Sequence, residues 1–202
     1  MATLMAEPTE PKPPNDVFNV PNQLTAARFV LAIIVFVLIP LQSYRAALIV
    51  FVIAASTDWI DGYYARKYGQ VTKIGRMFDP FVDKIIICGT FIFLAAEQDS
   101  GIKAWMAVVV VGREMLVTAL RSSIEQSGGD FSASFAGKLK MLFQCAAVVG
   151  SMLMLWLGSD RPSWLPIAVS VLAWVAILST IQSGLDYVVA AAKYYRQEDV
   201  SP

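Results

Sequence analysis

The sequence predicts an all-α membrane protein with six transmembrane helices, and three observations carry that reading. Of its 202 residues, 56% are hydrophobic and 16% are charged, where a soluble domain has about 45–50% and about 25%. The mean hydropathy is +0.57. The apolar residues gather in long runs rather than in a two- or 3.6-residue alternation, as in a chain whose solvent is lipid.

Taken in order, residues 1–16 carry four prolines and three acids without an apolar run. They read as a cytosolic tail, since a signal peptide needs a basic start and an apolar stretch, and a transit peptide is Arg-rich. The membrane domain spans 17–195, and 196–202 form a second cytosolic tail. Crossing the hydrocarbon takes about 20 apolar residues in a helix, and six stretches qualify: 24–40, 46–64, 78–96, 104–120, 139–158 and 164–187. Asn19-Val20-Pro21-Asn22 before the first reads as a short interfacial helix start. The third stretch contains Asp79, Asp83 and Lys84, and the fourth contains Arg113 and Glu114. No internal repeat is evident.

Sixteen Lys and Arg balance sixteen Asp and Glu, so no basic field invites nucleic acid. The absence of His excludes His-dependent triads and His-ligated metals. Cys88 and Cys145 are far apart in apolar runs, which excludes a disulfide framework or thiolate cluster. Eleven of the basic residues flank one side of the expected spans, against Arg45, Lys103 and Arg161 on the other. By the positive-inside rule both termini are cytoplasmic, in a multi-pass protein of the cell (inner) membrane.

The chemistry concentrates at the cytosolic ends of the second and third stretches. Asp58 and Asp61 are three residues apart and Asp79 and Asp83 four apart, so each pair faces one way from its helix. A short connection folds the two helices into a hairpin able to gather all four carboxylates. Two like charges about 4 Å apart repel by roughly 4 kcal/mol at an effective dielectric of 20. Such a cluster needs protons or divalent cations, and oxygen-only donors favour Mg²⁺, Mn²⁺ or Ca²⁺. Each residue also has a plainer reading. Asp79 before Pro80 suits a helix N-cap, Asp58 and Asp61 suit partners for Arg66 and Lys67, and Lys84 reads as a charge partner. Together, at this spacing, they mark a functional site.

Residues 58–83 read Asp-x2-Asp-Gly-x2-Ala-Arg-x8-Gly-x3-Asp-x3-Asp, through Asp58, Asp61, Gly62, Ala65, Arg66, Gly75, Asp79 and Asp83. This resembles the complete motif of the CDP-alcohol phosphotransferases, and the resemblance runs from about Asn19 to the last stretch. It implies six transmembrane helices in a homodimer with a cytosol-facing site. It also implies that Asp58, Asp61, Asp79 and Asp83 hold two divalent ions, Mg²⁺ or Mn²⁺, with Asp83 as general base. Thr57, Asp61, Gly62, Ala65, Arg66 and Gly75 would bind the nucleotide of the donor.

Further along, Arg113 and Arg121 lie at i and i+8 on one helix face, and Lys138 and Lys140 open the fifth stretch. Four cations near an acidic site suit the phosphate of an acceptor. The plainer reading pairs Arg113 with Glu114 or an aspartate and leaves the lysines as flanking charges. Arg-Glu-x4-Ala-Leu-Arg, Asn22-x2-Thr25-x2-Arg28 and Gly-Lys-x-Lys resemble the phosphatidylglycerophosphate synthase branch of the family. That branch joins CDP-diacylglycerol to glycerol 3-phosphate and releases CMP. The alternatives are a phosphatidylinositol-phosphate synthase, whose acceptor is also a phosphomonoester, and a divalent-cation transporter built on intramembrane carboxylates.

Overall fold

The computed structural model describes residues 20–68, 73–126 and 135–198, with backbone only at 20–22, 58–68, 73–80, 135–136, 138 and 197–198. Among these residues there are six α-helices and no strand: α1 (Val20–Leu38), α2 (Tyr44–Tyr68), α3 (Lys73–Ala96), α4 (Ala104–Gln126), α5 (Phe135–Leu157) and α6 (Leu165–Glu198). Each expected apolar stretch is a helix. The tail at 1–16 lies outside the described residues.

The helix boundaries depart from the apolar stretches in one direction only. At one end of the molecule they agree within two residues. At the other end every helix outruns its stretch by four to eleven residues, most of all α6, which continues to Glu198. Apolarity reports the solvent around a helix, whereas the backbone ladder continues wherever polar residues of adequate helix propensity follow. The overhangs are packed: Ile124 is fully buried, and the Ser123 and Tyr195 hydroxyls lie 2.6 Å apart across α4 and α6. Of the short helix start expected at 19–22, residues 20–22 form the first turn of α1, and Asn19 lies outside the described residues. Pro21 is accommodated there because a first-turn N–H has no intrahelical partner to lose.

Two stretches, Leu139–Asp160 and Leu165–Arg196, are long and apolar enough to cross a membrane by themselves. The described apolar parts of α1 and α2 are shorter, at Gln23–Leu38 and Tyr44–Thr57, and charges interrupt α3 and α4. All six helices nevertheless expose large apolar side chains outward, among them Val37, Ile53, Ile92, Val108, Leu142 and Val171. So much outward apolar surface belongs against lipid, and the protein is membrane-associated.

The helices close into a ring in the order α1, α2, α5, α6, α4, α3, with α3 also touching α5 across the middle. Each buries a stripe at three- and four-residue spacing. On α1 it is Thr25, Arg28, Ala32, Val35 and Ile39; on α2, Ala47, Phe51 and Ala54. These stripes change character along their length. Near the turns after α1, α3 and α5 the interior is Ile39, Leu94, Met106, Met152 and Val169. Toward the opposite end it becomes Arg28, Glu114, Lys140, Gln144, Thr180 and Ser183. The outside stays apolar while one end of the inside turns polar.

Small residues serve contacts within the chain. A Cβ on Gly150 would come within 3.2 Å of Val169, and one on Gly184 within 3.2 Å of the Arg113 stem. Ser151 Oγ donates to the Ser100 carbonyl at 2.6 Å, tying α5 to the α3–α4 turn. At Gly89 a Cβ would overlap the ring of Phe36, which stacks on Phe93 with centroids 5.2 Å apart. Gly89→Ala is therefore expected to destabilise the α1–α3 contact by about 1–3 kcal/mol. A lowered unfolding midpoint in detergent, largely restored by adding Phe36→Leu, checks this.

Candidate active site

The motif residues lie where α2 ends and α3 begins. Asp58 and Asp61 are one turn apart in the C-terminal part of α2, and Asp79 and Asp83 are one turn apart near the start of α3. Gly62, Ala65 and Arg66 follow on α2, and Gly75 lies on the first turn of α3. The side chains of Asp58, Asp61, Ala65, Arg66 and Asp79 lie outside the described residues. So does the side chain of Lys138, on α5. Among the described residues no group of three acidic side chains is placed to hold a metal. Thr57 is described, and its hydroxyl donates to the Ile53 carbonyl one turn back, at 2.8 Å.

Asp83 is held by a charge the sequence reading did not assign to it. Arg28 NH1 on α1 donates to Asp83 Oδ1 at 2.5 Å. The guanidinium is nearly inaccessible, at 3%, while the carboxylate keeps 27% exposure. Arg28 therefore fixes the carboxylate from the protein side and leaves part of it open to a ligand. The signal was present in the Asn22-x2-Thr25-x2-Arg28 opening, since Thr25 and Arg28 continue the buried stripe of α1. A buried cation on that stripe requires an anionic partner on the helix it faces.

The second centre is Glu114, on α4 and 7% exposed. Its Oε1 accepts from Arg113 NH1 at 3.1 Å and also from Lys140 Nζ on α5. Arg113 NH2 donates to Ser183 Oγ on α6 at 2.6 Å. Arg121 NH2 donates to Tyr187 Oη at 3.1 Å, and the Tyr187 ring lies within cation–π reach of both guanidiniums, at 5.5 and 5.9 Å. Gly184 allows the Arg113 stem to lie close against α6. The pairing of Arg113 with Glu114 is the one its sequence neighbour suggested, and Lys140 is buried rather than a loose flanking charge. Even so, the Nε–H groups of Arg113 and Arg121 are buried without an acceptor. One carboxylate thus gathers cations from two helices and leaves donor capacity beside the motif.

The family model described as CDP-alcohol phosphatidyltransferase matches residues 18–182. The chain belongs to that family. It is therefore an enzyme, a transferase. A Bacillus subtilis (strain 168) relative named CDP-diacylglycerol–glycerol-3-phosphate 3-phosphatidyltransferase is 36% identical over 186 residues, covering 84% of this chain and 93% of the relative. Proteins of the same name from Rickettsia felis and Escherichia coli K12 are each 33% identical over 180 residues. They cover 88% and 86% of this chain, and 97% and 95% of their own.

Within the family frame, Glu114, Ser183 and Tyr187 are the residues that motif reading did not place in the site. Ser183 and Tyr187 sit on α6, some seventy residues from the arginines they bind, and only folding brings them together. Glu114→Ala would leave two buried cations without their carboxylate and is expected to cost about 3–5 kcal/mol. Unfolding in detergent measures it, and an unchanged midpoint would show that Glu114 does not hold the cluster together.

Proposed function

We propose that this chain transfers the phosphatidyl group of CDP-diacylglycerol to glycerol 3-phosphate, forming phosphatidylglycerophosphate and CMP. The observation that carries the acceptor is the cluster of half-buried Arg113 and Arg121 and buried Lys140, with the unsatisfied Nε–H groups of both arginines. A neutral or zwitterionic acceptor gives no reason to keep paired arginines inside a membrane helix. A phosphomonoester does, because guanidinium groups bind it bidentately. The names of the relatives favour glycerol 3-phosphate over an inositol phosphate.

In this reading the protein crosses the membrane six times, with both termini and the site on the cytoplasmic side. The coincidence of helices with apolar stretches, their outward apolar faces and the eleven-to-three distribution of basic residues support it. The family also implies a homodimer. Thr57, Asp61, Gly62, Ala65, Arg66 and Gly75 bind the cytidine nucleotide. Asp58, Asp61, Asp79 and Asp83 form an all-carboxylate donor set on two successive helices, which suits two hard divalent ions, Mg²⁺ or Mn²⁺. When bound, such ions neutralise charge on the diphosphate and on the departing CMP.

The remaining steps belong to the side chains. Arg113, Arg121, Lys138 and Lys140 seat the acceptor phosphate and so orient its hydroxyl. Asp83, steadied by Arg28, takes the hydroxyl proton. The freed oxygen bonds to the phosphorus that bears diacylglycerol. The bond from that phosphorus to the oxygen shared with CMP breaks, and CMP leaves with the electron pair.

Purified protein supplied with a divalent ion and CDP-diacylglycerol is expected to release CMP when glycerol 3-phosphate is added and not in its absence. Release with myo-inositol phosphate alone would move the assignment to the phosphatidylinositol-phosphate synthases. Asp83→Asn is expected to lower turnover by about 10²-fold or more, the usual scale for a lost general base, without loss of the fold. Wild-type turnover in that variant would remove Asp83 from the chemistry.

A further inference from the structure

Lys84 has no role in the motif and none in the acceptor cluster drawn above, yet its surroundings place it there. It follows Asp83 on α3, about 100° further round the helix. Asp83 turns to Arg28 on α1, and Lys84 reaches across to α4, where Nζ lies 2.5 Å from Thr118 Oγ1. Thr118 donates its own hydrogen to the Glu114 carbonyl at 2.6 Å. Toward the lysine it can therefore only accept, which uses one of three ammonium hydrogens. No carboxylate of the described residues forms an ion pair with Lys84. Among the described residues its contact is this neutral hydroxyl; the side chains of Asp58, Asp61 and Asp79 lie outside them.

We propose that Lys84 is a specificity-determining residue of the acceptor pocket, binding the acceptor's phosphate together with Arg113 and Arg121. This rests on the phosphorylated-acceptor reading of the same cluster. Thr118 lies one turn after Glu114 and one turn before Arg121, so the ammonium stands beside the Arg121 edge of the cationic face of α4. Arg113 and Lys140 hold the Glu114 carboxylate, while Arg121 meets Tyr187 and Lys84 meets Thr118, so two of the four cations have no carboxylate contact among the described residues. Thr118 satisfies one of the three ammonium hydrogens, and a phosphate dianion would take up those that remain. The adjacency of Asp83 and Lys84 also has a geometric consequence. One turn of α3 carries the carboxylate that meets the acceptor hydroxyl and the ammonium that meets its phosphate. The distance between those two groups on the acceptor is thereby selected.

The test uses the full-length enzyme in detergent with CDP-diacylglycerol, glycerol 3-phosphate and a divalent ion. Lys84→Met is expected to raise the KM for glycerol 3-phosphate about tenfold or more, the scale of one lost charge-assisted hydrogen bond. The KM for CDP-diacylglycerol should stay within about twofold, and Lys84→Arg should recover most of the loss because it keeps the charge. Thr118→Val removes the hydroxyl but leaves the ammonium, and is expected to spare the KM for glycerol 3-phosphate. If Lys84 only ties α3 to α4, Thr118→Val and Lys84→Met will weaken both substrates alike, and the proposal fails. An unchanged KM for glycerol 3-phosphate in Lys84→Met also overturns it. Inorganic phosphate supplies a readout independent of turnover. It should raise the unfolding midpoint of wild type and of Lys84→Arg, and not that of Lys84→Met or Lys84→Gln; equal shifts in all four overturn the proposal. Absence of turnover on glycerol 3-phosphate in wild type refutes the acceptor assignment, while the phosphate-dependent midpoints still decide the role of Lys84.

Discussion

The arrangement of this protein depends on one buried carboxylate. Glu114 accepts hydrogen bonds from Arg113 on its own helix and from Lys140 on α5, and Arg113 continues to Ser183 on α6. Charges are expensive at membrane depth, and they persist only where they meet one another or a ligand. Around Glu114 the cations outnumber the carboxylate, so the fold holds an excess of positive charge beside the aspartate motif. The enzyme's own packing thus carries a preference for an anionic guest.

A second pairing works in parallel. Arg28 on α1 fixes Asp83 on α3, and the next residue, Lys84, reaches α4. Two neighbouring positions on one helix serve different walls of the site. Because Asp83 keeps a partly open carboxylate while Arg28 is sealed behind it, the pair combines a rigid support with an accessible oxygen. This is the form in which a carboxylate can meet a substrate without losing its orientation.

The ring of helices explains how an outwardly apolar bundle contains such a site. Each helix shows lipid-compatible residues on its outer face along most of its length, while the inner stripes pass from Ile, Leu, Met and Val to Arg, Glu, Lys and Ser. The polar end of the inside coincides with the end where the helices outrun their apolar stretches. The overhang of α6 carries Tyr195, which meets Ser123 in the overhang of α4, and Tyr187, at the end of the α6 apolar stretch, meets Arg121. Residues beyond the apolar stretches therefore contribute to the walls of the site.

The number and placement of the helices were legible in the chain, because long apolar runs answer to the solvent and need no knowledge of neighbours. The aspartate motif and the arginine face of α4 were legible for a similar reason: fixed spacing on a helix sets which side chains share a side. The continuity of Val20–Asn22 with α1 was not, since propensity near a helix start does not say whether the backbone ladder continues. Nor were the partners of the charges. Glu114 stands beside Arg113 in sequence, but its contact with Lys140, the Arg28–Asp83 pair and the Tyr187 ring near both arginines join residues twenty-six to seventy-four positions apart. Spacing along a chain determines faces; only packing decides which faces meet, because the cost of a buried charge is settled by whatever helix is brought against it.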